Sequence, residues 1–316
     1  MALRPSRQKK SRDRVSLGDH LRMLADSPAA HRRPALIVQG GGLRAIYSMA
    51  ALALLEEMSL LDAFSVVAGS SSGAINGAYF LAGPAREGLD IYYKCLSSRR
   101  FISPWRIWKV MDVDYLVDVA LKQHLPLNSQ EMLAARAPLY TVLTDAETAE
   151  PVMVSSRDET LDIYEELRAT VAIPGLYNRK VNIGSRKYVD GGLAGLVPLR
   201  MVVNDDEPEA VVLLARVRGH RLKVHGPVYH AASRVVAHGQ SPQVRAHIRT
   251  GDPTYNATME VLEREQTQSP RTTWTLRPTN ADQMVERTTS NLRRLRDCAV
   301  LGRSDMMAFL REEHFS

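Results

Sequence analysis

Cysteine is nearly absent, with Cys95 and Cys298 the only two in 316 residues. They lie too far apart for a zinc knuckle or a redox pair and are too few to staple a disulfide scaffold, so two reduced, buried thiols and a cytosolic protein are expected. Long apolar runs are missing as well. The richest, within 45–55, falls far short of the roughly 20 residues that span a bilayer, and no transmembrane helix is expected. Near the N-terminus Asp19, His20, Arg22 and Asp26 interrupt the place where an exported protein would carry its apolar segment. Neither an internal repeat nor a low-complexity stretch occurs. What remains, 45% hydrophobic and 24% charged residues, is the balance of a globular protein with a sizeable core, which excludes collagen, coiled coil and wholesale disorder. At this length one main domain with additions is expected.

The formal charge of +6 is unevenly placed. Residues 1–33 hold nine Lys and Arg against three Asp, and the other 283 residues balance at 32 against 32. A sequence pI near 9.4 therefore describes an N-terminal arm and not a basic binding face, and no nucleic-acid partner is expected. The arm reads as a solvated, disordered tail, with attraction to anionic phospholipid head groups as the second reading.

Beyond Pro34, the apolar run 35–38 reads as a buried parallel strand, followed by Gly40, Gly41 and Gly42 and a helical pattern over 43–58. A second apolar run, 64–68, meets Gly69-Ser70-Ser71-Ser72-Gly73 and then a helical stretch over 74–81. Strand, glycine turn, helix, strand, tight turn, helix argues for a parallel sheet with helices on both faces. A cluster of aromatic and basic residues follows, including Tyr92, Phe101, Trp105, Arg106, Trp108 and Lys109. It suits a loop packed on the body of the domain, or else a membrane interface or active-site cap. Further strands are expected at 139–144, 152–155, 188–190 and 210–215, with a helix over 161–170 stopped by Ile173-Pro174-Gly175. After residue 250 the chain is more polar, with helices near 255–266 and 291–310 around a strand at 272–276.

Three short motifs carry chemistry. Gly69 to Gly73 satisfies G-x-S-x-G, with Ser71 central and placed between a strand and a helix, as an exposed nucleophile at a sharp turn requires. The Ser72 N–H and the helix N-terminus would then face charge developing on an attacked carbonyl. Taken alone, the same residues equally describe a serine-rich helix cap. Gly40-Gly41-Gly42-Leu43-Arg44 leaves backbone N–H groups free for an anion. It reads either as an oxyanion loop for Ser71 or, because Gly40, Gly42 and Ala45 match G-x-G-x-x-G/A, as a dinucleotide site. Against the latter, Asp62 precedes the second strand instead of ending it, and no P-loop lysine follows the glycines. Asp190, in Val189-Asp190-Gly191-Gly192, is either an Asp-Gly turn or a base for the Ser71 proton. His220, His225, His230, His238 and His247 all follow Asp190, so chain order alone permits a triad. Their spacing does not place a metal site on one helical face.

Together, Gly40 to Arg44, Gly69 to Gly73, Asp190-Gly191-Gly192 and the segment Ala169 to Gly175 resemble the bacterial patatin-like phospholipase family. The likeness covers about residues 34–215, and the region after Asp252 looks like the C-terminal extension of one bacterial subgroup. The family usually has glycine where this chain has Ala45, which keeps its N–H. The resemblance implies a three-layer α/β patatin-type fold, divided into a disordered arm (1–33), a hydrolase domain (34–250) and an α/β extension packed on it (251–316). It also implies a Ser71–Asp190 dyad cleaving lipid acyl esters of phospholipase A, lysophospholipase or esterase type through a covalent acyl-enzyme. Gly41, Gly42 and Ser72 would hold the oxyanion, with Gly40, Leu43, Arg44, Gly69, Gly73, Gly191 and Gly192 in support, and with neither metal nor cofactor. The rivals are a nucleotide-binding protein and a catalytically silent lipid-binding protein.

Overall fold

The computed structural model describes residues 15–314, apart from 29–31, 107–108, 178, 205–207, 223–236 and 269–271. Trp108, His225 and His230, together with residues 1–14 of the arm, lie outside the described residues.

Eight strands form one mixed sheet: β1 (Ala35–Val38), β2 (Val67–Ser70), β3 (Leu139–Asp145), β4 (Pro151–Ser155), β5 (Val181–Ile183), β6 (Arg186–Asp190), β7 (Ala210–Leu213) and β8 (Thr273–Leu276). Their order is β5-β6-β3-β2-β1-β7-β8, with β4 also on β3. From β3 to β8 the pairing is parallel, whereas β4, β5 and β6 run antiparallel to their neighbours. Helices cover both faces: α1 (Leu17–Ala25), α2 (Ile46–Glu57), α3 (Ser72–Ala82), α4 (Ala85–Ile91), α5 (Ser129–Ala134), α6 (Ile163–Thr170), α7 (Leu199–Val202), α8 (Pro242–Thr250), α9 (Tyr255–Glu265) and α10 (Leu292–Glu312). The three layers expected from the alternating pattern are present.

The central strands are buried on both sides, so alternate residues feed two apolar layers. Leu36, Val38, Val67 and Leu213 pack with the residues of α2, α3 and α10. Ile37, Ala68 and Val212 pack with Leu199 of α7 and with Tyr255, Met259 and Leu262 of α9. Helix α2 lies in the middle of the thicker layer and is apolar nearly all round, with only Glu56 and Glu57 outside the buried set.

Two boundaries differ from expectation in a way that matters for the site. The second strand runs Val67–Ser70 and not 64–68, because Phe64 packs edge-on against Phe80 before the strand begins. Gly69 and Ser70, poor strand formers, are held in the ladder by pairing, Gly69 with both β1 and β3 and Ser70 with β3. A helix expected from Leu43 starts instead at Ile46, after a 3-10 turn over Gly42–Ala45.

The expected disorder of 1–33 does not hold for its described part. Ser16 caps α1, whose Leu17 and Leu21 are fully buried. Arg33, 6% exposed, donates to the carbonyls of Leu24, Ser27 and Asp62, tying the arm to the turn before β2. Counting charges hides this, because Leu17, Leu21 and Leu24 recur at helical spacing within a basic segment.

The polar C-terminal region is built into the core. Strand β8 extends the sheet beside β7, and α10 packs along α2 so closely that a Cβ on Gly302 would lie 2.2 Å from the Tyr47 carbonyl oxygen. Tyr47 in turn donates to Asp305 at 2.9 Å. In the aromatic and basic cluster, Tyr92 and Phe101 are buried, Arg106 and Lys109 pair with Asp112, and Trp105 is 92% exposed. Both cysteines are buried and free. Among the described residues no helix is long and apolar enough to cross a membrane.

Candidate active site

The register of β3 brings the two key side chains together. β2 ends with Ser70 opposite Val142, while antiparallel β6 ends with Asp190 opposite Leu143, the next residue along. β4 occupies residues 140–144 on the remaining edge of β3, so β2 and β6 share one edge and meet end to end. Ser71 and Asp190, 119 residues apart in sequence, thereby fall side by side, and the Ser71 hydroxyl donates to Asp190 Oδ2 at 2.7 Å.

Ser71 sits at the turn from β2 into α3 with φ +52°, a left-handed conformation uncommon for a residue with a side chain. The strain is held by neighbours. The Ser71 N–H donates to Thr170 Oγ1 at 2.8 Å, and the Thr170 hydroxyl donates to the Val142 carbonyl at 2.6 Å. Asp190 is fixed as firmly: its N–H donates to the Ala172 carbonyl, and its Oδ1 accepts from the Gly192 N–H at 2.8 Å. Gly191 is required here, since a Cβ would lie 1.8 Å from the Val142 carbonyl oxygen. Burial pushes the Asp190 carboxyl up to about 6, opposed by the Ser71 hydroxyl, the Gly192 N–H and the positive charge of Arg287.

The glycine loop lies across the same strand end, with Gly40 backed directly onto the Ser70 carbonyl. Gly41 and Gly42 both line a cavity of about 90 Å³ with Ser71 and Asp190. The expected roles of the three oxyanion candidates divide. The Gly41 N–H donates to Ser72 Oγ at 3.0 Å and is therefore already engaged. The Ser72 hydroxyl, at the first position of α3, thereby reaches back and pins the loop. The N–H groups of Gly42 and Ser72 have no intramolecular acceptor among the described residues. Gly42 has φ +60° and is covered by the Arg287 backbone, whose carbonyl accepts from the Leu43 N–H at 3.0 Å. Arg44 points away from Ser71, its Nε donating to the Val285 carbonyl. Gly69 and Gly73 let the turn close against its own helix start and against the end of β1.

Ile173, Pro174, Leu193 and Leu196 line the cavity with apolar side chains, and Gly192 and Arg287 complete its wall. Beneath it, Asn76 donates to the Ala45 carbonyl and accepts from Tyr92, a buried polar link between the loop, α3 and the helix following α4. Of the expected residues, Ser71, Asp190, Gly41, Gly42 and Gly192 converge on one cavity, and no described histidine bonds Ser71 or Asp190. His220 lies instead beside Tyr255 and Arg44. For a dinucleotide, the acidic residue at the end of β2 is missing, and Asp62 sits in the preceding turn with its carbonyl bonded to Arg33. No group of His, Cys, Asp and Glu suited to a metal occurs among the described residues. Thr170 and Arg287 were not found from the sequence. Thr170 lies inside the segment compared with the family, while Arg287 carries no local signal at all.

A family model described as patatin-like phospholipase matches residues 36–203, more than half of the chain. An Escherichia coli (strain K12) relative, "Uncharacterized protein YjjU", is 25% identical over 208 residues, covering 63% of this chain and 56% of its own. The chain thus spans little more than half the length of that curated relative. Among solved structures, VipD from Legionella pneumophila shares the fold, with a TM-score of 0.54 at 12% identity over 89% of this chain and 66% of VipD.

Proposed function

From the membership of this chain in the patatin-like phospholipase family, we propose that it hydrolyses carboxylic esters of lipids through a Ser71 acyl-enzyme, with Asp190 as the base. The observation that carries the reading is the 2.7 Å Ser71–Asp190 hydrogen bond inside a buried cavity roofed by the glycine loop. Ser71 Oγ attacks the ester carbonyl as its proton passes to Asp190 Oδ2. A desolvated carboxylate is a stronger base than one in water, which lets it act without histidine. Negative charge on the carbonyl oxygen is met by the N–H groups of Gly42 and Ser72 and by the N-terminus of α3. Collapse expels the alcohol, protonated by Asp190, and water then attacks the acyl-enzyme by the same proton route in reverse. The wall of Ile173, Pro174, Leu193 and Leu196 suits the first carbons of an acyl chain.

Labelling with a fluorophosphonate, followed by peptide mapping, tests this reading, because the probe reacts appreciably only with an activated serine. Modification at Ser71, absent in Ser71→Ala and strongly reduced in Asp190→Asn, is expected. No labelling of folded wild-type protein, with or without vesicles, would overturn the hydrolase and favour a silent lipid-binding protein.

A further inference from the structure

Ser72 and Asn76 stand one turn apart in α3, which places them on one face of the helix. Both hold the glycine loop, at opposite ends. Ser72 Oγ accepts from the Gly41 N–H at 3.0 Å, and Asn76 Nδ2 donates to the Ala45 carbonyl at 2.8 Å. Between these two points lies Gly42, whose N–H has no intramolecular acceptor among the described residues. The nucleophile Ser71 immediately precedes the same helix. Asn76 is fully buried, and each of its polar positions is used. Its amide nitrogen also donates to Ser48 Oγ at 3.1 Å, and its Oδ1 accepts from the Tyr92 hydroxyl at 2.8 Å. Ser48, itself fully buried, adds a second donor to the Ala45 carbonyl at 2.9 Å.

A carbonyl can only accept, so Ala45 decides which way the Asn76 amide is turned. Burial pushes the Tyr92 phenol well above the ordinary tyrosine value, which keeps it a donor to Oδ1. From Gly73 to Ala78, Asn76 is the one polar side chain of α3. Packing alone would be served by an apolar residue there, without the cost of desolvating an amide. What the amide adds is direction, because it fixes the loop to the helix that carries the nucleophile. The loop needs such a hold. Gly42 sits at φ +60° in a 3-10 turn, and no sheet ladder sets its distance from Ser71. Stabilising an oxyanion depends on that distance, since a donor displaced by about 1 Å costs on the order of a hundredfold in rate.

We propose that Asn76 is a positioning residue for acyl transfer: with Ser72 it clamps the two ends of the glycine loop to α3 and so holds the Gly42 N–H at its working distance from Ser71. The clamp rests on the hydrolase reading. Asn76 lies beneath the cavity and touches no reacting atom. It acts through the Ala45 carbonyl, and Tyr92 and Ser48 keep its amide in place.

Asn76→Ala, Ser72→Ala and the double variant of the full-length protein test the clamp on a soluble short-chain ester, below the melting temperature of each. With kcat counted per serine titrated by fluorophosphonate, a fall of about a hundredfold is expected in Asn76→Ala and about tenfold in Ser72→Ala, at nearly unchanged KM. The pH midpoint stays where it is in the wild type, because Asp190 is untouched. Since both residues restrain one loop, the double variant should lose less than the product of the two single losses. Hydrogen exchange of the amides in residues 40–45 is expected to quicken in Asn76→Ala, a readout that needs no turnover. A merely structural role would lower the melting temperature and leave kcat per titrated serine and loop exchange as in the wild type. That result overturns the clamp, and so do losses that multiply in the double variant. Should Asn76→Ala not fold, Tyr92→Phe is read in the same way: a smaller fall in kcat at unchanged KM supports the clamp, and an unchanged kcat overturns it. Failure to label Ser71 in folded wild-type protein overturns the hydrolase reading, whereas equal labelling rates in wild type and Asn76→Ala overturn the clamp alone.

Discussion

As the proposed base, Asp190 has to be charged to accept the serine proton, yet its surroundings favour the neutral form. Burial places its titration at about 6, above the ordinary aspartate value, so the charged base is lost as pH falls through that point. A pH profile of kcat/KM on a soluble short-chain ester is expected to drop about tenfold per pH unit below this midpoint and to level off above it. A profile flat down to pH 5 would show that Asp190 is not the base. Thr170 makes a second prediction at the same site. Its hydroxyl both receives the Ser71 N–H and donates to the Val142 carbonyl, so Thr170→Val orphans two buried backbone groups and loosens a turn already held at positive φ. A loss of about 1–3 kcal/mol in denaturant unfolding is expected, with a lower kcat on the same ester.

Strand β3 is the element on which the site depends, because one of its edges carries both β2 and β6 and fixes where they end. On the other side of the oxyanion loop, the strap preceding α10 supplies the Arg287 carbonyl that caps Leu43. Helix α10 in turn is seated on α2 through the contact of Gly302 with the Tyr47 backbone. Gly302→Ala forces the two helices apart and is expected to cost about 1–3 kcal/mol, visible as a lower melting temperature. Because the strap leads into α10, labelling of Ser71 is expected to slow in this variant as well. Similar stability and labelling to the wild type would mean that α10 does not hold the strap.

Across the whole molecule, charge and fold are distributed differently. Helix α1 and Arg33 belong to the packed body, whereas residues 1–14 carry six Lys and Arg against one Asp. Attraction to an anionic lipid surface is the natural use of such a segment in a protein proposed to act on lipids. Deleting residues 1–14 is expected to leave the melting temperature unchanged. Co-sedimentation with phosphatidylglycerol vesicles should fall to the level that the intact protein shows at 1 M salt, where screening acts within about 3 Å. Unchanged binding of the shortened chain at low salt would reject that role.

The glycine loop, the serine turn and the Asp-Gly pair are local patterns, legible in the sequence because each demands small residues at fixed spacing in a tight turn. The α/β alternation is legible for the same reason, since apolar periodicity follows from which face of an element is buried. The ordered α1 was missed because charge counting averaged over its leucine stripe, and the β2 boundary because Gly69 and Ser70 are strand by pairing and not by propensity. Nothing local to Arg287 marks it as part of the site, which it reaches from the strap before α10, far from Ser71 in sequence. The engagement of the Gly41 N–H by the Ser72 hydroxyl is of the same kind. Motif spacing determines which groups can meet, whereas hydrogen-bond partners depend on distances of a few ångströms between segments that only packing brings together.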